Sequence, residues 1–151
     1  MQEKKKALIG KLRDAKKAHR RWVSNAQILM QGVPVKNDQL PLNETECGFG
    51  NWYYGEGQAL RGYPVFRDIE APHTALHTTY LQIFDLLFRE RKVSLFNRML
   101  GRKAEPSPAE LESARRLFTV LNTESHKIMD LLEELEDLII SMDDDRFNDL
   151  F

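Results

Sequence analysis

Apolar residues recur at helical spacing over three long stretches of the chain. From about residue 4 to residue 30 they return every three or four positions, and His19 falls in the same stripe. Two further stretches run from about 68 to 100 and from about 109 to 142, and no strand-type alternation of any length appears. The pattern predicts an all-α fold, an antiparallel four-helix bundle of three long helices and a short one.

The breaks between these stretches carry recognisable start and stop signals. Ser107, Pro108 and Glu110 supply a cap residue, a proline at the first helical position and a glutamate three residues after the cap. Residues 32–44 contain one glycine and two prolines, which predicts a loop. Residues 45–57 are rich in glycine and aromatic residues, which predicts a short extra helix with tight turns.

Composition limits the class of protein. The chain has 151 residues, of which 42% are hydrophobic and 30% charged, so we expect a folded helical domain over residues 1–142 and an acidic tail over 143–151. No apolar run approaches the roughly 18–20 residues that span a bilayer, and no secretory h-region is present. The single cysteine fits a reducing compartment, so we expect a cytoplasmic protein. The net charge of −1 argues against nucleic acid as the main partner.

Charge is unevenly distributed between the two ends of the chain. Residues 1–21 contain nine lysines and arginines, and residues 130–151 contain nine aspartates and glutamates. If the first and last helices pack antiparallel, the basic start lies beside the acidic end and the two pair. The alternatives are a basic start that binds nucleic acid or anionic lipid, and a tail that docks on a partner or frays.

Four residues have the chemistry of metal ligands. His73 and His77 are spaced i, i+4, which places both rings on one helix face. His19 lies on the core-facing stripe of the first helix, and Cys47 lies in a glycine-flanked segment. Three imidazoles and one thiolate are a complete tetrahedral ligand set for Zn²⁺, although composition alone leaves their convergence open. His126 lies off the leucine stripe and is expected to be exposed.

The segment from Cys47 to Gly55, CGFGNWYYG, resembles the C-x-F-G-x-W-Y-x-G signature of bacterial chemoreceptor zinc-binding (CZB) domains. Those domains also place one histidine on the first helix and an H-x-x-x-H after the cysteine motif, as in this chain. The resemblance implies a four-helix-bundle homodimer with one zinc per subunit. It also implies the ligands, which are His19, Cys47, His73 and His77.

The resemblance also carries expectations about function. CZB domains regulate an attached chemoreceptor signalling rod or diguanylate cyclase, and they sense zinc or oxidants such as hypochlorous acid through the zinc-bound cysteine. This sequence contains no long receptor coiled coil and no G-G-D/E-E-F segment. We therefore expect either a free-standing regulator in chemotaxis or cyclic-di-GMP signalling, or a piece of a longer protein, with no membrane partner.

The expected site favours a sensor over an enzyme, because four protein ligands leave no open position for water on the metal. Three other readings remain: a structural zinc-stabilised dimerisation bundle, an interaction bundle with incidental histidines, and a di-iron bundle. The di-iron bundle needs several Glu-x-x-His pairs, and only Glu70 with His73 fits. Carboxylates should hold the free histidine nitrogens. The candidates are Glu46, Asp68 and Glu70.

Overall fold

The computed structural model describes residues 3–31, 44–45, 47–102 and 104–151, and it is helical without strands over those residues. The predicted all-α bundle is confirmed. Except for Glu44, the predicted loop of residues 32–44 lies outside the described residues. The helices are α1 (Glu3–Met30), α2 (Gly48–Tyr54), α3 (Pro64–Asp68), α4 (Glu70–Phe88), α5 (Leu95–Met99), α6 (Pro108–Ser141) and α7 (Asp144–Leu150), with a 3₁₀ turn at Glu56–Leu60.

Helix α6 is the centre of the bundle and runs antiparallel to both α1 and α4. His19, two thirds along α1, contacts Ser125 in the middle of α6, and Lys5 contacts its C-terminal end. Arg91, just after α4, pairs with Glu110 in the first turn of α6. Helices α1 and α4 therefore run in the same direction, and α2, the 3₁₀ turn and α3 lie between them in sequence.

The core is built from the apolar stripes that the sequence shows. Full burial of a leucine or isoleucine side chain is worth roughly 1.5–3 kcal/mol, so these stripes supply most of the stabilisation of the bundle. The residues with 0% exposure include Leu12, Ala26, Leu29, Ile69, Ile83, Leu121, Leu135 and Ile139.

Ion pairs join the basic start of α1 to the acidic end of α6. Glu136 is buried on α6, and its two carboxylate oxygens lie 2.6 Å from Arg13 Nε and 2.7 Å from Lys16 Nζ. A buried carboxylate requires such partners, because desolvation of an unpaired charge is costly. The predicted pairing of the two ends of the chain is confirmed by these contacts.

The acidic C-terminal tail is a helix that packs against the bundle. Phe147 of α7 is 1% exposed and belongs to the main core, and Asp143 caps the helix. Lys5 is buried at the same place, where its amine donates to the backbone oxygen of Met142 and lies 3.7 Å from Asp144. A cation at this position stabilises the C-terminal end of α6, whose last carbonyls lack helical partners. The tail is therefore folded onto its own bundle and is not frayed.

The second long helix is shorter than the sequence predicts. We expected a helix from about residue 68 to 100, but α4 ends at Phe88 and the short helix α5 follows a six-residue break. The Arg91 guanidinium donates to the carbonyl of Leu86 and pairs with Glu110, so it satisfies backbone oxygens that a continuing helix would have used. Ser94 then caps α5 by accepting the backbone N–H of Asn97 at 3.2 Å.

The start of α6 follows the predicted signal. The Ser107 hydroxyl accepts the Glu110 backbone N–H at 3.2 Å, and the Glu110 carboxylate accepts the Ser107 N–H at 2.7 Å. The capping box and the proline at the first helical position are both confirmed.

Helix α5 exposes its apolar side chains. Leu95, Phe96 and Met99 are 71–86% exposed, in contrast to the buried stripes of α1, α4 and α6. Within the described ranges, no helix has the length and apolar composition that a membrane crossing requires.

Candidate metal centre

Three of the four predicted ligands converge in the interior of the bundle. Cys47, His73 and His77 each offer one ligand atom, and these atoms all lie within 4.8 Å of one another. Cys47 Sγ is 3.4 Å from His73 Nε2. In a tetrahedral zinc site, bonds of about 2.3 Å to sulfur and about 2.0 Å to nitrogen place the two donors about 3.5 Å apart. The observed pair therefore has the spacing of two ligands of one ion.

Helix α4 supplies both histidines of this cluster. His73 and His77 are one helical turn apart, they are 3% and 5% exposed, and their rings meet edge to face with centroids 4.8 Å apart. The prediction that i, i+4 spacing places both rings on one face is confirmed. The two imidazoles are buried donors that point into the same small volume.

Cys47 is held by the first turn of α2. Its sulfur accepts the backbone N–H of Gly50 at 3.1 Å, and its thiol donates to the carbonyl of Glu44 at 3.2 Å. A side chain at Gly50 would not fit, because a Cβ atom there would lie 1.7 Å from that same carbonyl oxygen. The local backbone path, and with it the position of the thiol, depends on glycine at this residue.

The aromatic residues of the cysteine motif attach α2 to the bundle. Phe49 meets the His73 ring edge to face at 5.2 Å. The Tyr53 ring stacks on Phe66 at 4.4 Å, and its hydroxyl donates to the backbone oxygen of Phe66 at 3.0 Å. Trp52 meets the same phenylalanine at 6.0 Å. These contacts fix the cysteine segment against α3 and α4, because buried aromatic rings contribute large packing areas.

His19, the fourth predicted ligand, lies at the edge of the same site. It lines a cavity of about 720 Å³ whose wall also includes Cys47, His73 and His77. Its Nε2 atom, however, is 2.9 Å from the Ser125 hydroxyl oxygen, and His19 is not part of the cluster within 4.8 Å. The structure brings three predicted ligands together and leaves the four-ligand set a prediction.

Burial controls the protonation of these groups. Burial, and then the nearby His77, lowers the pKa of His19 to about 4. Burial, followed by the charges of His77 and His19, lowers the pKa of His73 to about 3. Both rings are neutral at neutral pH and keep a lone pair for a metal ion. Burial also raises the pKa of the Cys47 thiol, and the Gly50 N–H offsets part of that rise.

Two other sequence expectations have definite outcomes. His126 is exposed, with Nδ1 2.7 Å from the Asn122 carbonyl oxygen, which confirms that it lies outside the site. His73 Nδ1 is buried and has no hydrogen-bond partner among the described residues, so neither Asp68 nor Glu70 holds it. Glu46 lies outside the described residues.

Ser125 is a residue of this region that sequence reasoning missed. It lies on the buried stripe of α6, four residues after Leu121 and three before Ile128. A small polar residue in an otherwise apolar stripe was the available signal, because a buried hydroxyl requires a partner. Here that partner is His19.

Comparison with known families agrees with this geometry. Residues 19–84 match the family model described as the chemoreceptor zinc-binding domain (CZB). The matched span contains all four predicted ligands, from His19 on α1 to His77 on α4. Comparisons with curated proteins and with solved structures gave no match. Over residues 19–84, the chain is therefore similar to the chemoreceptor zinc-binding domain family.

Proposed function

We propose that this chain is a zinc-binding regulatory domain in which Cys47, His73 and His77 hold one Zn²⁺ and His19 completes the ligand set. The observation that carries the proposal is the convergence of a thiol and two buried imidazoles, with Cys47 Sγ 3.4 Å from His73 Nε2. Sulfur and imidazole nitrogen are the donors that zinc prefers.

The same donor set favours regulation over catalysis. A catalytic zinc keeps a coordination position for water or substrate, and a set of three histidines and one cysteine leaves none. The family that matches the chain is a zinc-binding domain of chemoreceptors, which agrees with a regulatory role. The chain's own residues therefore act by holding or releasing the cysteine segment and not by turning over a substrate.

Cys47 is the proposed switch. Bound Zn²⁺ supplies a positive charge that keeps the sulfur a thiolate, the form that oxidants attack. The thiolate of Cys47 reacts with hypochlorous acid to give a sulfenic acid and chloride, so sulfur loses two electrons and chlorine gains them. The oxidised sulfur is a weaker ligand for a metal and a weaker acceptor of the Gly50 N–H hydrogen bond. Loss of both contacts frees the segment that Cys47 tethers.

The position of the thiol supports reaction with a small oxidant. Cys47 is half-buried, and it lines the cavity of about 720 Å³ together with His19 and both histidines of α4. A small molecule can thus approach the sulfur without unfolding the bundle. The C-terminal end of α2 stays in place because the Tyr53–Phe66 contacts anchor it independently of the metal, so the release is confined to its Cys47 end.

For the output, we propose a role in chemotaxis, which the family description supports by naming chemoreceptors, or in cyclic-di-GMP signalling. In this proposal the domain works as a homodimer in the cytoplasm and controls a signalling partner such as a chemoreceptor or a diguanylate cyclase.

A second function is favoured by the packing of the cysteine segment. Cys47 caps α2, and aromatic contacts fix this helix to α3 and α4, so the metal would add to an ordered structure. This is the arrangement expected of a structural zinc-stabilised dimerisation bundle without sensing. The two functions differ in their response to oxidant, because a purely structural site keeps its zinc until the protein unfolds.

The deciding experiment is zinc release by one equivalent of hypochlorous acid, followed with a chromophoric chelator. We expect the wild type to release zinc, and a Cys47→His variant, whose ligand has no oxidisable sulfur, to retain it. A Cys47→Ala variant that still responded to the oxidant like the wild type would show that Cys47 is not the switch. Zinc retained by the folded wild type after oxidation would favour the structural function.

A further inference from the structure

His19 and Ser125 contact each other where α1 packs on α6. His19 Nε2 lies 2.9 Å from Ser125 Oγ, and Ser125 is 9% exposed. Its neighbours on the stripe of α6, Leu121 and Ile128, are 0% and 1% exposed. The hydroxyl is thus a buried polar group whose hydrogen bond is made across the interface between two long helices.

The ring that Ser125 engages is also the ring that borders the metal centre. His19 lines the cavity with Cys47, His73 and His77, yet it lies outside the cluster whose ligand atoms are within 4.8 Å. An imidazole nitrogen carries either one lone pair or one hydrogen, so Nε2 forms one such bond at a time. His19 Nε2 cannot bond Ser125 and a metal ion together.

We propose that Ser125 is a positioning residue that holds His19 away from the metal's ligand set, and that metal binding exchanges the His19–Ser125 hydrogen bond for the fourth ligand bond. The inference rests on the proposed zinc function and extends it to a residue of α6 that lies outside the matched residues 19–84. The exchange transfers one contact of α1 from α6 to the cluster on α2 and α4. Metal binding therefore changes the contacts between α1 and α6.

The opposite arrangement is also chemically reasonable and makes the test informative. If His19 bound the metal through Nδ1, Ser125 would keep its bond to Nε2 and would orient the ligand, as partners of metal-bound histidines do. In that arrangement Ser125 strengthens metal binding. In the proposed exchange Ser125 weakens metal binding. The two arrangements therefore predict opposite effects of Ser125→Ala on zinc affinity.

The experiment is a zinc titration of the wild type and Ser125→Ala in competition with a chromophoric chelator. We expect Ser125→Ala to bind zinc about five-fold more tightly, which corresponds to the roughly 1 kcal/mol of a typical net hydrogen bond. Thr123→Ala is the matched control, because its hydroxyl lies on the exposed side of the same helix and bonds the Thr119 carbonyl at 3.1 Å. Equal or weaker binding by Ser125→Ala would overturn the exchange.

The same comparison in a His19→Ala chain shows whether the effect of Ser125→Ala on zinc affinity depends on His19. In a His19→Ala chain, Ser125→Ala should leave zinc affinity unchanged, because the competing ring is gone. An undiminished effect there would show that Ser125 acts through packing and would overturn the proposal. In zinc-free protein, NMR of the His19 ring nitrogens should shift on Ser125→Ala and not on Thr123→Ala.

The outcome also separates this inference from the function on which it rests. A folded wild type that binds no zinc contradicts both. A wild type that binds one zinc, with Ser125→Ala at wild-type affinity, contradicts the exchange alone.

Discussion

Cys47 Sγ and His73 Nε2 lie 3.4 Å apart, although 26 positions of sequence separate the two residues. The intervening 3₁₀ turn and α3 fold α2 back against α4, and the stacked pair Tyr53 and Phe66 holds that fold in place. With His77 completing a cluster within 4.8 Å, the pair has the spacing of metal ligands.

Cys47 has two proposed roles, as the N-cap of α2 and as a metal ligand, and two substitutions separate them. Cys47→Ser keeps an N-cap acceptor for Gly50 and loses the soft sulfur ligand, whereas Cys47→Ala loses both. Without zinc, we expect the alanine variant to be about 1 kcal/mol less stable than the serine variant, the usual value of an N-cap. Both variants should bind zinc more weakly than the wild type. The loss should exceed the roughly 10–100-fold that follows when only the hydrogen-bond partner of a metal ligand is removed. Urea unfolding in chelator and zinc titration measure the two effects, and wild-type affinity in Cys47→Ser would contradict the assignment of sulfur as a ligand.

Gly50 should be intolerant of any side chain. A Cβ atom there would lie 1.7 Å from the Glu44 carbonyl oxygen, so Gly50→Ala must displace the backbone that positions Cys47. We expect a loss of about 1–3 kcal/mol in the free energy of unfolding, typical of forced overpacking, together with weaker zinc binding. Gly48→Ala is the control, since a Cβ atom there has nothing within 4 Å. Similar thermal unfolding and zinc affinity for the two variants would refute the role given to Gly50.

The sequence predicted the features that depend on local pattern. The stripes of α1 and α6, the capping box at Ser107 and Glu110, and the shared face of His73 and His77 all follow from spacing within one helix. Recognition of the cysteine motif added Cys47 to the same site. These predictions held because each depends on residues fewer than five positions apart or on a complete motif.

What the sequence did not predict depends on contacts between distant residues. The end of α4 is set by Arg91, which reaches back to the Leu86 carbonyl and across to Glu110. The placement of His19 depends on Ser125, 106 positions away on another helix. Periodicity places His19 and Ser125 on core-facing stripes, but it does not indicate that these two residues meet.

Glu136 should make stability depend on pH. Burial alone would raise the pKa of its carboxyl, but Lys16 and Arg13 outweigh burial and hold that pKa below its ordinary value of 4.5. The contribution of the Glu136 ion pairs to the free energy of unfolding is therefore complete above pH 4.5, and it is lost as the pH falls through the lowered pKa. We expect Glu136→Gln to reduce the free energy of unfolding at pH 7 by about 1–3 kcal/mol.

The matched control is Glu133→Gln, which removes an exposed carboxylate three residues earlier on α6 and should change stability by about 0.5 kcal/mol or less. Urea unfolding across a pH series measures both variants. A Glu136→Gln deficit that stayed constant from pH 7 to well below 4.5 would contradict the ion-pair explanation.

Helix α5 should contribute little to the stability of the bundle. Leu95 and Phe96 are 80% and 71% exposed, so Leu95→Ser and Phe96→Ser should each change the free energy of unfolding by no more than about 0.5 kcal/mol. Leu121→Ala on the fully buried stripe of α6 should cost about 2–5 kcal/mol. Urea unfolding compares the three, and a cost for Phe96→Ser that matched Leu121→Ala would show that α5 is buried in solution.

We propose that one zinc ion is held by the cluster of Cys47, His73 and His77. The most direct test is zinc per chain, measured by mass spectrometry of metals on protein purified without added metal. His73→Ala removes a ligand, and His126→Ala removes an exposed histidine outside the site. We predict one zinc per chain in the wild type and in His126→Ala, and far less than one in His73→Ala. A folded wild type without zinc, or a His73→Ala variant with the full zinc content of the wild type, would contradict zinc binding by this cluster.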